Sequence, residues 1–92
     1  MSVQIRRQVT IVNKLGLHAR AASKLVTLAR RFESGVLLRR DDKSVNAKSI
    51  MGVMMLAASQ GATLELDVEG ADAQSAVDEI ESLIANRFGE PE

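Results

Sequence analysis

Apolar residues in this chain recur with two different periods, and the switches between them dictate the order of its elements. Val3, Ile5, Val9 and Ile11 alternate with polar Gln4, Arg6, Gln8 and Thr10, the pattern of a strand with one buried face. Arg7 breaks the apolar side, which suits an edge strand. Asn13 to Gly16 reads as a loop. From Ala19 to Phe32 the period lengthens. Ala22, Leu25, Val26 and Ala29 fall at helical spacing, and Leu28 and Phe32 widen the stripe. Arg30 and Arg31 suit the negative end of that helix, and Gly35 follows as a stop. Val36 to Arg40 reads as a strand, Asp41 to Lys43 as a turn and Ser44 to Ala47 as a short return strand. Ser49 can cap a helix running from Ile50 to about Ser59, kept short or weak by Gly52 inside it. Ala62, Leu64, Leu66 and Val68 alternate cleanly as a fourth strand. Asp72 is the expected N-cap of a last helix with Ala73, Ala76, Val77, Ile80, Leu83 and Ile84 on one face, ended by Gly89 and Pro91.

The order is βαββαβα, an α+β architecture. Each clean strand has one apolar face, so the helices are expected on one side of the sheet. At 92 residues the chain makes a single small domain, 1–92, with a modest core. It has no cysteine and one histidine, which excludes disulfides, thiolate metal sites and any site needing two imidazoles. Neither a cofactor nor a metal is expected. The start, Met1 to Arg7, lacks the apolar core of a signal peptide, and Ile50 to Ala58 is too short to cross a bilayer, so a cytoplasmic protein is expected. Residues 1–61 hold eleven bases and three acids, whereas residues 62–92 hold nine acids and Arg87 alone. Such asymmetry can mark a nucleic-acid-binding half, but with two aromatic residues there are few rings for bases to stack on. The basic stretches are better read as solvated faces.

Chemistry concentrates at His18. Gly16 ends the loop before it, a helix starts directly after it, and Arg20 lies in the first turn. A helix N-terminus offers unpaired N–H groups to an anion, and a guanidinium suits phosphate oxygens. A phosphate on or beside His18 would be stabilised from both directions. The competing reading is an ordinary exposed or capping histidine. A Ser/His/Asp triad has no supporting pattern, a Gly-Lys-Ser/Thr phosphate loop is absent, and so small a fold has little room for an enzyme's cleft. Glu79 and Glu81 read as a solvated helix face. The run Ile50, Met51, Val53, Met54, Met55, Leu56 is richer than one helix face can bury, so part of it is an adaptable exposed surface. Ser49, heading that helix, is a cap or a phosphorylation site.

Two stretches carry a family resemblance. Asn13-Lys14-Leu15-Gly16-Leu17-His18-Ala19-Arg20-Ala21-Ala22 resembles the active-site signature of HPr, the histidine-containing phosphocarrier of the bacterial phosphoenolpyruvate-dependent phosphotransferase system. Lys43-Ser44-Val45-Asn46-Ala47-Lys48-Ser49-Ile50-Met51-Gly52-Val53-Met54 resembles that family's regulatory-serine region. The resemblance implies an open-faced β-sandwich with strand order 1-4-2-3 under three helices. It implies that His18 takes a phosphoryl group on Nδ1 from phosphorylated enzyme I and passes it to an EIIA-type acceptor. The protein would then be a carrier rather than a stand-alone enzyme. Arg20 would attend the phosphoryl group, with Gly16, Ala19 and Ala21 shaping the site. Ser49 would be the target of an HPr kinase/phosphorylase. Leu17, Ile50, Met51 and Met54 would dock partners, and Lys14, Arg20, Lys24 and Lys48 would ring that surface with positive charge, drawing acidic partners to a monomer.

One departure stands out. The family usually has proline after the arginine, where this chain has Ala21. Alanine is a strong helix former, so the helix should survive with a less rigid start. The Asn-Lys-Leu-Gly lead-in resembles the nitrogen-related branch, NPr, whereas Ser49-Ile50-Met51-Gly52 points to a kinase-regulated HPr. A mainly regulatory binding module, controlling kinases, transporters or transcription, is therefore the second reading.

Overall fold

The structure, a computed structural model, describes residues 2–92. Its elements are β1 (Val3–Thr10), α1 (Ala19–Ala29), β2 (Gly35–Arg40), β3 (Lys43–Asn46), α2 (Ile50–Met55), β4 (Thr63–Gly70) and α3 (Ala73–Ala85), followed by a 3-10 turn at Arg87–Gly89. The four strands form one antiparallel sheet in the order β1-β4-β2-β3. Val9, Val36, Leu38, Leu64, Leu66 and Val68 point to one face and share a core with Leu25 and Val26 of α1, Val53 of α2 and Ile80 and Ile84 of α3. All three helices therefore cover that face. Burying each such side chain contributes about 1.5–3 kcal/mol before the loss of chain entropy.

The other sheet face is open, and the charge asymmetry of the sequence is resolved there. Arg6 lies opposite Asp67 in the β1–β4 register, with Nε 3.4 Å from Oδ2. Arg39 of β2 lies opposite Glu65 of β4. On the helical side Arg7, which interrupts the apolar face of β1, reaches Glu81 of α3 at 3.6 Å. β1 is an edge strand, and at Arg7 its helical face meets Glu81 of α3, so a charged residue fits there. The basic first part and the acidic last part of the chain thus meet across the sheet. Single exposed pairs of this kind are worth at most about 1 kcal/mol each.

Several boundaries differ from the periodicity. α1 stops at Ala29 rather than Phe32, because the N–H groups of Arg31 and Phe32 turn to carbonyls three residues back and tighten the end. Phe32 still packs against the core. α2 stops at Met55 rather than Ser59, because Ala57 takes a left-handed φ of 48° and the chain leaves the helix. Gly52 has a packing reason: a Cβ there would lie 3.3 Å from the carbonyl oxygen of Asn46, so glycine lets α2 approach β3. Asp72 stands at the N-cap position of α3, but its side chain does not cap that helix. It accepts from the backbone N–H groups of Glu33 and Ser34 at 2.9 Å each and from the Ser34 hydroxyl, tying the start of α3 to the α1–β2 connection. α3 ends at Ala85, and Gly89 ends the 3-10 turn instead.

The β1–α1 loop delivers His18. The N–H of Leu17 donates to the carbonyl of Ala58 at 2.9 Å, so the loop lies directly on the chain leaving α2. Gly16 has φ +68°, and a Cβ on it would sit 2.5 Å from that same carbonyl oxygen. Both facts demand glycine.

Gly16→Ala should therefore cost about 1–3 kcal/mol from backbone strain, with the steric clash in addition. Urea denaturation measures it, and a loss under about 0.5 kcal/mol would mean that the loop relaxes freely. A second prediction concerns acid. The Ser34 hydroxyl, then the Glu33 N–H, hold the Asp72 carboxyl below its ordinary range. Its stabilising effect is present above the ordinary aspartate value and is lost as pH falls through the depressed folded value. Asp72→Asn should lower the melting temperature at pH 7 and narrow its gap from wild type as the pH falls below about 4. An equal gap at pH 7 and pH 2 would contradict this.

Candidate functional site

His18 is the N-cap residue of α1, with extended backbone angles of φ −72° and ψ 178°. Its carbonyl accepts the first helical bond, from the N–H of Ala22 at 2.8 Å. The N–H groups of Ala19, Arg20 and Ala21 therefore face outward from the first turn without intrahelical acceptors. The His18 side chain does not cap them. It is 29% exposed and borders an open depression of about 600 Å³, with Lys14, Leu15, Arg20, Glu90 and Glu92 also on its rim. The structure thus brings together His18 and Arg20 at the positive end of an 11-residue helix. That arrangement can hold a multiply charged anion.

The C-terminal residues complete the site, and periodicity alone does not reveal them. Glu90 Oε2 lies 2.5 Å from His18 Nε2. Glu90 Oε1 accepts from the amide of Asn13 at 3.0 Å, and the same amide donates to the carbonyl of Gly16 at 2.8 Å. Asn13 is fully buried, so it fixes both the loop before His18 and the carboxylate beside it. The hydrogen bond from His18, then that from Asn13, hold the Glu90 carboxyl below its ordinary value. The one local hint in the sequence is the acid pair Glu90 and Glu92 flanking Pro91, past the end of every apolar pattern.

The remaining expected residues divide into two groups. Ala19 is exposed, while Ala21 is fully buried at the third position of α1 and the helix is intact around it. Ile50, Met51 and Met54 are exposed on α2, joined by Met55 at 61%, so the surplus of apolar residues on this helix does face outward. Leu17 is placed differently. It is 5% exposed and belongs to the core, whereas Leu15 is 66% exposed on the rim of the depression. Gly16 orients these two residues oppositely. Lys14 Nζ sits 3.5 Å from Glu92. Lys24 and Lys48 do not point freely outward, since their Nζ atoms donate to the carbonyls of Phe88 and Phe32, both at 2.7 Å. Ser49 Oγ accepts from the N–H of Gly52 at 3.2 Å, as expected of a cap. Among the described residues no group of three or more His, Asp or Glu could hold a metal ion, and no helix is long and apolar enough to cross a membrane.

The chain is similar in sequence and fold to known proteins. Residues 5–86 match the family model described as the PTS HPr component phosphorylation site. The chain is 57% identical over 88 residues to the phosphocarrier protein HPr of Cupriavidus necator, covering 96% of this chain and 99% of that one. It is 44% identical over 87 residues to the phosphocarrier protein NPr of Shewanella violacea, covering 95% and 96%. Among solved structures, HPr from Thermoanaerobacter tengcongensis superposes with a TM-score of 0.92 at 43% identity, covering 96% of this chain and 99% of that chain. With an HPr signature around His18, an HPr sheet order and full-length HPr relatives, the chain belongs to the HPr family of phosphotransferase-system phosphocarrier proteins.

Proposed function

We propose that this chain carries a phosphoryl group on His18, taking it from phosphorylated enzyme I and giving it to an EIIA-type protein. The observation that carries this reading is the placement of a partly exposed imidazole at the N-terminus of α1, on one open rim with Arg20. A neutral imidazole nitrogen is a nucleophile. In the forward step the Nδ1 lone pair forms the N–P bond, the donor's bond to phosphorus breaks, and its electron pair stays with the donor. The phosphoryl oxygens then meet the first-turn N–H groups and the Arg20 guanidinium. Onward transfer reverses these events at the acceptor. The site lies in a shallow depression and not a deep cleft, which fits a group that a second protein must reach.

The exposed side chains Leu15, Ile50, Met51, Met54 and Met55 offer an apolar docking surface, with Lys14 and Arg20 near it supplying charge. Acidic partner faces would match it, and binding would weaken as salt rises. Ser49, at the head of α2, is the proposed regulatory site, where phosphorylation by an HPr kinase/phosphorylase adds about −2 charge beside Ile50 and Met51. A nitrogen-branch role, chiefly regulatory, draws support from the NPr relative. Offering both sugar-type and nitrogen-type EIIA acceptors distinguishes the two branches.

With phosphoenolpyruvate, Mg²⁺ and enzyme I, intact-mass spectrometry at neutral pH should find one acid-labile phosphate on wild type and none on His18→Ala. A folded wild type that takes no phosphate from enzyme I of either branch would overturn the carrier reading. Ser49→Asp should leave the melting temperature within a few degrees of wild type and slow enzyme I-dependent phosphorylation by about tenfold or more, since like charges at an interface are costly. Equal rates would remove Ser49 from regulation.

A further inference from the structure

After α3 the chain does not simply trail away. Arg87, Phe88 and Gly89 take left-handed φ values of 56°, 55° and 78° in succession. Such a conformation is costly for a bulky side chain and persists only where the surroundings hold it. Here they do. The Phe88 ring is fully buried, and its carbonyl accepts from Lys24 Nζ. The reversal turns the next residues back over the start of α1. Glu90 is extended there, and the main-chain oxygen of Glu92 accepts from the N–H of Lys14 at 3.0 Å. Residues 87–92 thus form a strap, anchored by Phe88 at one end and by Lys14 at the other, with Glu90 held between.

An ionised carboxylate only accepts hydrogen bonds, and a neutral imidazole has a single N–H. With Glu90 Oε2 against Nε2, that N–H is placed on Nε2. Nδ1 has no hydrogen-bond partner among the described residues and keeps its lone pair. Asn13, fully buried, holds the other carboxylate oxygen and so fixes the rotation of the carboxylate against the ring. We propose that Glu90, delivered by this strap, is the positioning residue of His18, selecting the tautomer whose Nδ1 is the nucleophile and fixing the ring's orientation. The role in transfer rests on the carrier reading above. When Nδ1 forms its bond to phosphorus and the donor's bond breaks, Nε2 keeps its proton. The ring gains positive charge, and the Glu90 carboxylate faces it. When the N–P bond later breaks, its electron pair returns to Nδ1 and the ring is neutral again.

The test begins without any phosphoryl donor. Nitrogen-15 NMR of the full chain at alkaline pH, where an imidazole is neutral, reads the tautomer ratio directly. Wild type and the control Glu92→Ala, which cuts only the Lys14 ion pair, should show the Nε2–H form. Glu90→Ala should shift the ratio toward the other tautomer by about tenfold, the effect expected of losing a charge-assisted hydrogen bond. Glu90→Ala should also accept phosphate from enzyme I about tenfold more slowly at saturation, with KM for enzyme I unchanged. An unchanged tautomer ratio in folded Glu90→Ala overturns the proposal, whether or not transfer slows. Slowing with a raised KM and an unchanged ratio would assign Glu90 to partner contact instead. Should wild type take no phosphate at all, the carrier reading fails while the NMR arm still judges the strap.

Discussion

β4 hydrogen-bonds to β1 along one edge and to β2 along the other, and it buries Leu64, Leu66 and Val68 beneath the helices. Those three side chains belong to the core that the helices share, and α3 packs directly against β4. The same pairing places acids opposite bases, Asp67 against Arg6 and Glu65 against Arg39. A chain with basic and acidic segments this far apart in sequence would repel itself segment by segment if like segments met. Antiparallel pairing of the first strand with the fourth avoids that.

The site depends on this arrangement at one remove. With β1 and β4 side by side, Ile11 exchanges hydrogen bonds with the turn at Gly61 and Ala62, and the β1–α1 loop lies against Ala58. A methyl group on Gly16 would run into the backbone of Ala58 and Ser59 and has nowhere to go. Leu17 is pulled inward by the same geometry, Leu15 is left outside, and His18 arrives at the head of α1 with its ring toward the surface. α3 packs on β1 and brings the strap within reach of that ring. The fold therefore assembles the surroundings of His18 from three separate places: a loop, a helix end and the segment after the last helix.

Much of this is legible in the residues themselves. Gly16, His18 and Arg20 stand within five positions of one another, so loop, helix start and guanidinium can be seen together before any folding is considered. The outward surplus on α2 is legible as well, because a six-residue helix with Met51, Met54 and Met55 cannot bury them all. The residues say least where a side chain takes a distant partner over a local one. Asp72 has the sequence position of a cap but bonds Ser34, 38 residues away. Lys24 and Lys48, legible as surface charges, spend their donors on backbone carbonyls. Leu17 could not be sorted from Leu15, since a loop has no period to reveal which side faces in.

What the amino-acid sequence determined by itself is the kind and order of the elements, the position of the imidazole at a helix start, and the absence of thiol chemistry. These depend on nearest neighbours, on spacing and on composition, and need no knowledge of what touches what. Strand order is different: periodicity is silent on it, and it came into view through family resemblance and then through hydrogen-bond register. The Glu90–His18 contact spans 72 residues and exists only because α3, the left-handed turn at Phe88 and the buried Asn13 bring the two together. Local physics decides what each segment becomes, whereas the partner of a charged side chain is decided by which segments the core packs side by side.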